Sequence, residues 1–368
     1  MSESSSHSSD EIVSPPFSLE LSSPVDSELT VKRMSAFSLI LSAVLLSANA
    51  FVCATWSHFF EIPGWMAWQA LPGVVALAFI PATIFRFRSS HPTLRIVYAI
   101  SAAWLGGLNF AFFAALSCWV VEWGYGLTGG SVTPFPLAAT LFGLAGMAFV
   151  YGLINSRWIR VTKITVQLAH LPEAWKGRSA ALLTDLHLGP LLGAGFLRRV
   201  IARLRSVQPD IVFISGDMFD GSPLHLDQLV APWSEFSAPR GIYYVTGNHD
   251  EFAERNLYLD SAKRTGIHIL NNEKIDVEGL QIVGVHDSEA MDSAQLREIL
   301  WQVKIDRLNP SILLAHRPVN LSVAEEAGIS LQLSGHTHGG QIWPWNLVVS
   351  LIYGRFASGL SRLHQLQI

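Results

Sequence analysis

The sequence predicts a membrane-spanning region of about four helices followed by a soluble α/β or α+β domain. Half of the 368 residues are hydrophobic and only 15% are charged, and the mean hydropathy is +0.33. This composition is too apolar for an ordinary soluble enzyme, and the excess lies within the first 155 residues. Beyond residue 160, short β-type runs alternate with amphipathic segments. The net charge of −4 gives no signal of nucleic-acid binding.

The first 155 residues divide into a polar tail and a membrane region. Residues 1–31 are rich in Ser and Pro and nearly free of aromatic residues, so we expect a disordered tail. Residues 32–155 contain long apolar runs near the ~20 residues that cross a bilayer, and none has a charged residue in its central part. Buried core helices are the alternative, but they would leave no polar face for water. The four runs are 34–56, 66–85, 96–121 and 134–153.

The charges between these runs predict the orientation of the region in the membrane. Two connections carry only acids, Glu61 and Glu122. By the positive-inside rule both termini are cytoplasmic, which makes this a multi-pass inner-membrane protein with a cytoplasmic C-terminal domain. Asn49 and Asn109 are polar residues inside the runs, and we expect each to bond a neighbouring helix. Basic residues lie before the first apolar run, between the second and third runs, and after the fourth run. They are Lys32, Arg33, Arg86, Arg88, Arg95, Arg157, Arg160 and Lys163.

The domain at 156–368 is predicted to contain at least seven strands and two amphipathic helices. Apolar residues recur at helical spacing over Leu197–Leu204 and Leu296–Val303. The apolar β-type runs that we predict as strands are Val161–Leu168, Ser179–Thr184, Asp210–Ser215, Gly241–Thr246, Leu280–Val285, Ser311–Ala315 and Ile329–Leu333.

Candidate metal ligands follow five of these strands. Open α/β sheets bind ligands in the loops that leave the carboxyl ends of strands. Carboxylate, imidazole and amide donors recurring in this way favour two divalent metals a few ångströms apart, and the mixed N/O donors suit Mn, Fe or Zn equally. Gly216, Gly247 and Gly335 each precede a candidate, where a residue without Cβ allows close approach. The candidates are Asp185, His187, Asp217, Asn248, His316, His336 and His338.

The order Gly-Asp-x-x-Asp at 216–220, Gly-Asn-His-Asp at 247–250 and Gly-His-Thr-His at 335–338 resembles the calcineurin-like metallophosphoesterase superfamily. Leu171-Pro172 and the run at 339–342 resemble a bacterial membrane-associated branch, which includes phosphodiesterases and enzymes that cleave UDP-diacylglucosamine. The resemblance covers about 161–345 and implies an αββα sandwich. It also implies one metal held by Asp185, His187, Asp217 and His338, and a second held by Asp217, Asn248, His316 and His336.

The same resemblance implies roles for residues that do not bind metal. His249 would face the substrate phosphate, with Asp220 as its orienting partner. The alternative for Asp220 is a turn carboxylate, and for Asp250 a structural carboxylate is the better reading. Members of the superfamily carry further strands, so Ser361–Ile368 is expected to supply one strand of a C-terminus that is truncated relative to them.

The function expected from these features is hydrolysis of a phosphodiester or pyrophosphate bond by a hydroxide that bridges two metals. Membrane anchoring favours a phospholipid or another lipid-linked substrate, although an anchor can also serve location alone. The alternative is a membrane receptor or transport module with a regulatory phosphoesterase-like domain. Transport is disfavoured because no ionisable residue lies at mid-membrane. A non-catalytic scaffold is also disfavoured, because the sequence retains a residue at every predicted metal-ligand position. The sequence leaves the substrate, the native metal and the oligomeric state open.

Overall fold

The N-terminal region is a bundle of four helices. The computed structural model describes residues 24–62, 70–86, 89–251 and 255–368, and side chains from residue 38 onward except that of residue 86. Most of the tail predicted to be disordered lies outside this description, but residues 24–31 are helical, which departs from the prediction. The four helices are α1 Pro24–Phe59, α2 Ala70–Arg86, α3 Pro92–Leu127 and α4 Pro134–Asn155.

Three helices of the described chain are long and apolar enough to cross a membrane. They are the part of α1 at Ser38–Phe59, together with α3 and α4. Helix α2 is apolar but has only 17 residues, with Pro81 inside it, which is short of the ~20 residues of a full span. A fourth crossing therefore stays a prediction. Polar side chains join helices within the bundle, as where the Trp104 indole donates to Asn49 Oδ1 at 3.3 Å.

The C-terminal domain contains two β-sheets. The first sheet is wholly parallel in the order β1-β2-β3-β4, and the second is mixed in the order β5-β6-β7-β8-β10-β9. The first is formed by β1 Ala180–Leu183, β2 Ile211–Ser215, β3 Ile242–Val245 and β4 His268–Ile269. The second is formed by β5 Glu273–Val277, β6 Leu280–Gly284, β7 Ser311–Leu314, β8 Leu331–Leu333, β9 Arg362–Leu363 and β10 Leu366–Gln367.

The two sheets pack face to face, with helices on both outer faces. Alternate residues of β2 point to opposite sides: Phe213 packs between the sheets with Ile282, and Val212 and Ile214 pack against the outer helices. The core beyond the second sheet includes Leu313. This arrangement is the αββα sandwich. Its helices are α5 Ala194–Val207, α6 Leu226–Val230, α7 Arg255–Lys263, α8 Asp287–Met291, α9 Ser293–Gln302, α10 Leu321–Ala327 and α11 Trp345–Tyr353.

Two strand predictions differ from the structure. Val161–Leu168 belongs to neither sheet, although Val166 and Leu168 pack against the core between the sheets. The C-terminal segment forms two short strands where one was predicted. They make a hairpin in which Gln367 pairs in parallel with Leu331 of β8, so the hairpin extends the second sheet beyond its last long strand.

Candidate metal centre

Loops at the carboxyl ends of five strands meet at one end of the sandwich. The strands β1, β2 and β3 of the first sheet and β7 and β8 of the second each lead directly into a predicted ligand. Backbone hydrogen bonds join the loops to one another: the amide of His187 donates to the Asp217 carbonyl at 3.0 Å, and the amide of Gly335 donates to the His316 carbonyl at 2.7 Å. Ligands that are more than 150 residues apart in sequence are thus held together at one end of the sandwich.

One group of donors contains Asp185, His187 and His338. Nε2 of His187 lies 3.3 Å from Nε2 of His338, and Nε2 of His338 lies 3.3 Å from Oδ1 of Asp185. The Asp217 carboxylate borders this group, with Oδ2 3.8 Å from Nε2 of His187. The structure therefore brings together the four residues predicted to hold the first metal.

A second group contains Asp217, His316 and His336. Nε2 of His316 lies 3.3 Å from Oδ2 of Asp217, the same oxygen that faces the first group. The His316 and His336 rings are 5.2 Å apart. Asp217 consequently lies between the two groups, where a ligand shared by two metals has to be.

Two buried polar atoms of this centre that have no hydrogen-bond partner indicate whether it suits a cation. Among the described side chains, Asn248 Oδ1 and His316 Nε2 are buried without a hydrogen-bond partner. Such buried polar atoms are costly unless something else satisfies them. Nδ1 of His316 donates to the Ser215 carbonyl at 2.9 Å, so Nε2 is the ring nitrogen that a metal can bind by displacing the proton held there beside Asp217. The donors present therefore fit divalent cations.

Charges within the centre shift the pKa values of its ligands. Burial alone would lower the pKa of His316, but the adjacent Asp217 carboxylate raises it to about 9. Burial opposes ionisation of Asp185, yet His338 and His316 together hold its pKa down at about 2. Burial lowers the pKa of both His187 and His336 to about 4. Two imidazoles are thus neutral donors at pH 7, and the carboxylates are ionised.

Glycine at two positions lets the loops approach this closely. A Cβ on Gly335 would overlap Oγ1 of Thr184 and reach the Asp185 carboxylate. Gly216 has a φ of +86°, and a Cβ there would lie 2.5 Å from the His316 ring. Any larger residue would push a ligand out of place, so both glycines are required by the packing of the centre.

His249 lies at the rim of the centre. Its backbone amide donates to Oδ1 of Asp217 at 2.8 Å, and its ring meets the His187 ring edge-on at 4.7 Å. Nδ1 of His249 is 3.3 Å from the backbone carbonyl of Asp220. The Asp220 carboxylate accepts from the Ser222 amide at 2.9 Å, as a turn carboxylate does. The side chains of His187, Asp217 and His249 are also close enough to one another to hold a metal ion together.

Asp250 organises two of the ligand loops without facing the cations. Its carboxylate is fully buried and accepts hydrogen bonds from the amides of Met218, Phe219 and Gly247, at 3.3, 2.8 and 2.8 Å. Those amides belong to the loops that carry Asp217 and Asn248. This contact agrees with the structural role predicted for Asp250.

Sequence reasoning missed three residues that position ligands. Thr184 donates to Oδ2 of Asp185 at 2.9 Å, and Ser215 donates to the Leu333 carbonyl at 2.7 Å. His286 accepts from the Thr246 amide at 3.2 Å beside the Asn248 loop. Thr184 directly precedes the ligand Asp185, and Ser215 directly precedes Gly216. This position next to a ligand loop is the feature of the sequence that could have identified both residues.

Comparisons with known proteins agree with this geometry. The family model described as calcineurin-like phosphoesterase matches residues 179–340, a range that includes all seven candidate ligands. An uncharacterised metallophosphoesterase of Campylobacter jejuni is 34% identical over 215 residues, covering 57% of each chain. A transmembrane protein with a metallophosphoesterase domain from Danio rerio is 32% identical, covering 59% of this chain and 53% of its own.

An uncharacterised metallophosphoesterase of Aquifex aeolicus is 31% identical over 208 residues, which cover 54% of this chain and 77% of its own. Against the Campylobacter and Danio proteins, the aligned region spans little more than half of the relative's length. The similarity therefore concerns the domain that carries the metal centre.

Proposed function

Since the chain belongs to the calcineurin-like phosphoesterase family, we propose that it is a membrane-anchored, metal-dependent hydrolase of a phosphodiester or pyrophosphate bond. The observation that carries this proposal is the convergence of six predicted Asp and His ligands into two groups that meet at the carboxylate of Asp217. The orphaned oxygen of Asn248 and nitrogen of His316 both belong to the ligand set predicted for the second metal, and they support that cation position. Mn, Fe and Zn all suit these donors.

Cations held by these residues would supply Lewis-acid charge and lower the pKa of a coordinated water, the chemistry that two-metal hydrolases use. Asp217 is the residue that both positions share, because its Oδ2 faces His187 on one side and His316 on the other. Its Oδ1 is fixed by the amide of His249. The orientation of this carboxylate is therefore set by the protein before any cation arrives.

His249 is the residue we assign to contact with the substrate phosphate. Its backbone is tied to Asp217, and Nδ1 lies beside the carbonyl of Asp220. With Nδ1–H donating to this carbonyl, the imidazolium form of His249 carries its second proton on Nε2, and that proton passes to the leaving oxygen. The orienting contribution of Asp220 comes through its main chain, while its carboxylate stabilises the turn at Ser222.

A cytoplasmic orientation of the domain is supported by charges at the helix ends. Nε2 of His58 at the end of α1 lies 3.0 Å from the Glu122 carboxylate near the end of α3, so these polar residues share one end of the bundle. Arg157 and Arg160 follow the end of α4, beside the domain. The positive-inside rule then puts the domain in the cytoplasm. A substrate at the membrane surface, such as a phospholipid or another lipid-linked phosphate, would suit this location.

The test uses the full chain purified in detergent, with bis-(p-nitrophenyl) phosphate as substrate and Mn²⁺ added. We expect Asp217→Asn to abolish turnover and to lower the metal content measured by mass spectrometry. His249→Ala should keep its metal and lose about 10²-fold in kcat. His268→Ala, which changes an exposed imidazole on β4, is the matched control and should behave as the wild type. Equal turnover in all four proteins would refute the proposal.

A further inference from the structure

The segment at 343–353, directly after the last ligand loop, presents an uncovered apolar surface. Helix α11 contains no charged residue, and none of its nine residues is buried in the described structure. The exposed fraction is 85% for Leu351 and 69% for Ile352. A soluble domain rarely leaves such a contiguous apolar surface open to water. The exposed apolar side chains are Trp343, Trp345, Leu347, Val348, Leu351 and Ile352.

This segment is bonded to a helix that crosses the membrane. Nδ2 of Asn109, within α3, donates to the Trp343 carbonyl at 3.0 Å, and Nε1 of Trp345 donates to Oδ1 of Asn109 at 2.9 Å. The Phe113 and Trp343 rings also meet, at 5.2 Å. Both halves of the Asn109 amide are therefore satisfied by the segment. An amide within an apolar span requires such partners.

The position of Asn109 along α3 sets the depth of the segment. Glu122, paired with His58, marks the end of the apolar part of α3 on the far side. Asn109 precedes Glu122 by 13 residues (122 minus 109), which is ~20 Å along a helix. Arg95 precedes Asn109 by 14 residues (109 minus 95), which is ~21 Å toward the opposite end of α3. Asn109 therefore lies within the part of α3 that a hydrocarbon core ~30 Å thick surrounds, and the segment bonded to it lies at a depth where lipid is present.

Both ends of α11 are also attached to the loop that carries His336 and His338. A Cβ on Gly340 would overlap the backbone of Asn346, so the loop rests directly on the start of the helix. At the other end, the Tyr353 ring lies 6.4 Å from the His336 ring in an edge-on contact. The metal-binding loop is therefore in contact with α11 at both ends of the helix.

We propose that residues 343–353 form a membrane-inserted segment, whose exposed apolar face contacts the acyl chains of the bilayer leaflet nearest the metal centre. The partner is the phospholipid bilayer itself. The exposed surface adjoins that of α3 through the contact of Trp343 with Phe113, and Arg355 follows it in sequence with a charge that suits anionic headgroups. Insertion holds the ligand loop at the membrane surface. It goes beyond the proposed hydrolysis and does not depend on it.

Depth-dependent quenching in liposomes tests this proposal without any activity assay. The full chain carrying Cys53→Ala and Cys118→Ala, which remove both native cysteines, receives Leu351→Cys and an environment-sensitive fluorophore. Brominated phospholipid should quench this probe about threefold more than a probe on the matched control Leu308→Cys, as expected for a position at the acyl boundary. Leu308 is 79% exposed and lies on the connection after α9.

A second labelled position, Leu347→Cys, keeps the test informative if the Leu351→Cys protein misfolds. Gel filtration checks that each labelled protein is monodisperse. A water-like emission at both reporters, with quenching no greater than at the control, would overturn the proposal. So would probe-to-probe self-quenching that rises with the protein-to-lipid ratio and replaces quenching by lipid, because a second copy of the chain would then cover the surface. Loss of hydrolytic activity with intact lipid quenching would count against the proposed function alone.

Discussion

Acidification is expected to destabilise the domain through His286. The imidazole is fully buried, Nδ1 accepts from the Thr246 amide at 3.2 Å, and Nε2 lies 3.1 Å from Oδ1 of Asn271. These contacts require the neutral ring with its proton on Nε2. Burial, assisted by Arg255 and opposed by Glu289 and Glu251, lowers the pKa of His286 to about 4.

The size of the effect follows from the pKa difference between the folded and unfolded states. The unfolded chain has a His286 pKa near its ordinary value of 6.5 and the folded chain one of about 4, so the unfolded state binds more protons between these values. The free energy of unfolding therefore falls as the pH drops through this window. The whole shift corresponds to ~3 kcal/mol, of which ~2 kcal/mol is lost by pH 5. For a domain of this size that lowers Tm by roughly 4–8 °C.

The assay compares the full-length wild type with His286→Gln in detergent and excess chelator, at pH 7.5 and pH 5, by thermal unfolding followed through tryptophan fluorescence. The glutamine cannot titrate, so the variant should lack the His286 part of the acid-induced fall in Tm, whatever its stability at neutral pH. Other titrating groups contribute equally to both proteins. His268→Gln, at an exposed position, should follow the wild type. If the wild type and His286→Gln lose the same number of degrees, the buried neutral histidine is not the cause.

Three further outcomes are expected. Gly335→Ala should lower metal content, because its Cβ would overlap Thr184 and displace the adjacent ligand, whereas Gly195→Ala, whose Cβ would meet nothing within 4 Å, should bind metal normally. Asp250→Asn should reduce the free energy of unfolding by ~1–3 kcal/mol, since an amide replaces an acceptor of three backbone N–H groups, and chemical denaturation measures it. Chelation should lower Tm, and 100 Kd of Mn²⁺ should restore ~2.7 kcal/mol, so a Tm indifferent to metal would contradict the centre.

The ligand loops were predictable because buried parallel strands have a strong local pattern. Residues 211–214 form a continuous apolar run that indicates a buried element, and the ligand Asp217 follows it closely. By contrast, Glu273–Val277, which forms β5 at the edge of its sheet, mixes acidic and basic residues with only two apolar ones. Its strand geometry comes from pairing with β6, and such a partner is not visible in local sequence.

The C-terminal elements were hard to predict for a similar reason. The strands at 362–363 and 366–367 have two residues each, far below the length at which periodicity can be read. They exist because β8 offers an open edge to Gln367. The segment 345–353 is mostly apolar but is interrupted by Asn346 and Ser350. A short pattern of this kind is compatible with a buried strand and with a helix, so only its surroundings decide between them.

Asn49 and Asn109 show where local reasoning about the membrane region stops. Both were expected to bond a neighbouring helix, and Asn49 does so through Trp104. Asn109 instead bonds Trp343 and Trp345, which belong to the C-terminal domain. A polar residue in an apolar span predicts that a hydrogen-bond partner exists, but it does not identify the part of the chain that supplies the partner. Because this partner is joined directly to the loop of His336 and His338, the bundle does more than tether the domain through residues 156–160. It also holds the segment that follows the loop of His336 and His338 against α3, at the position of Asn109.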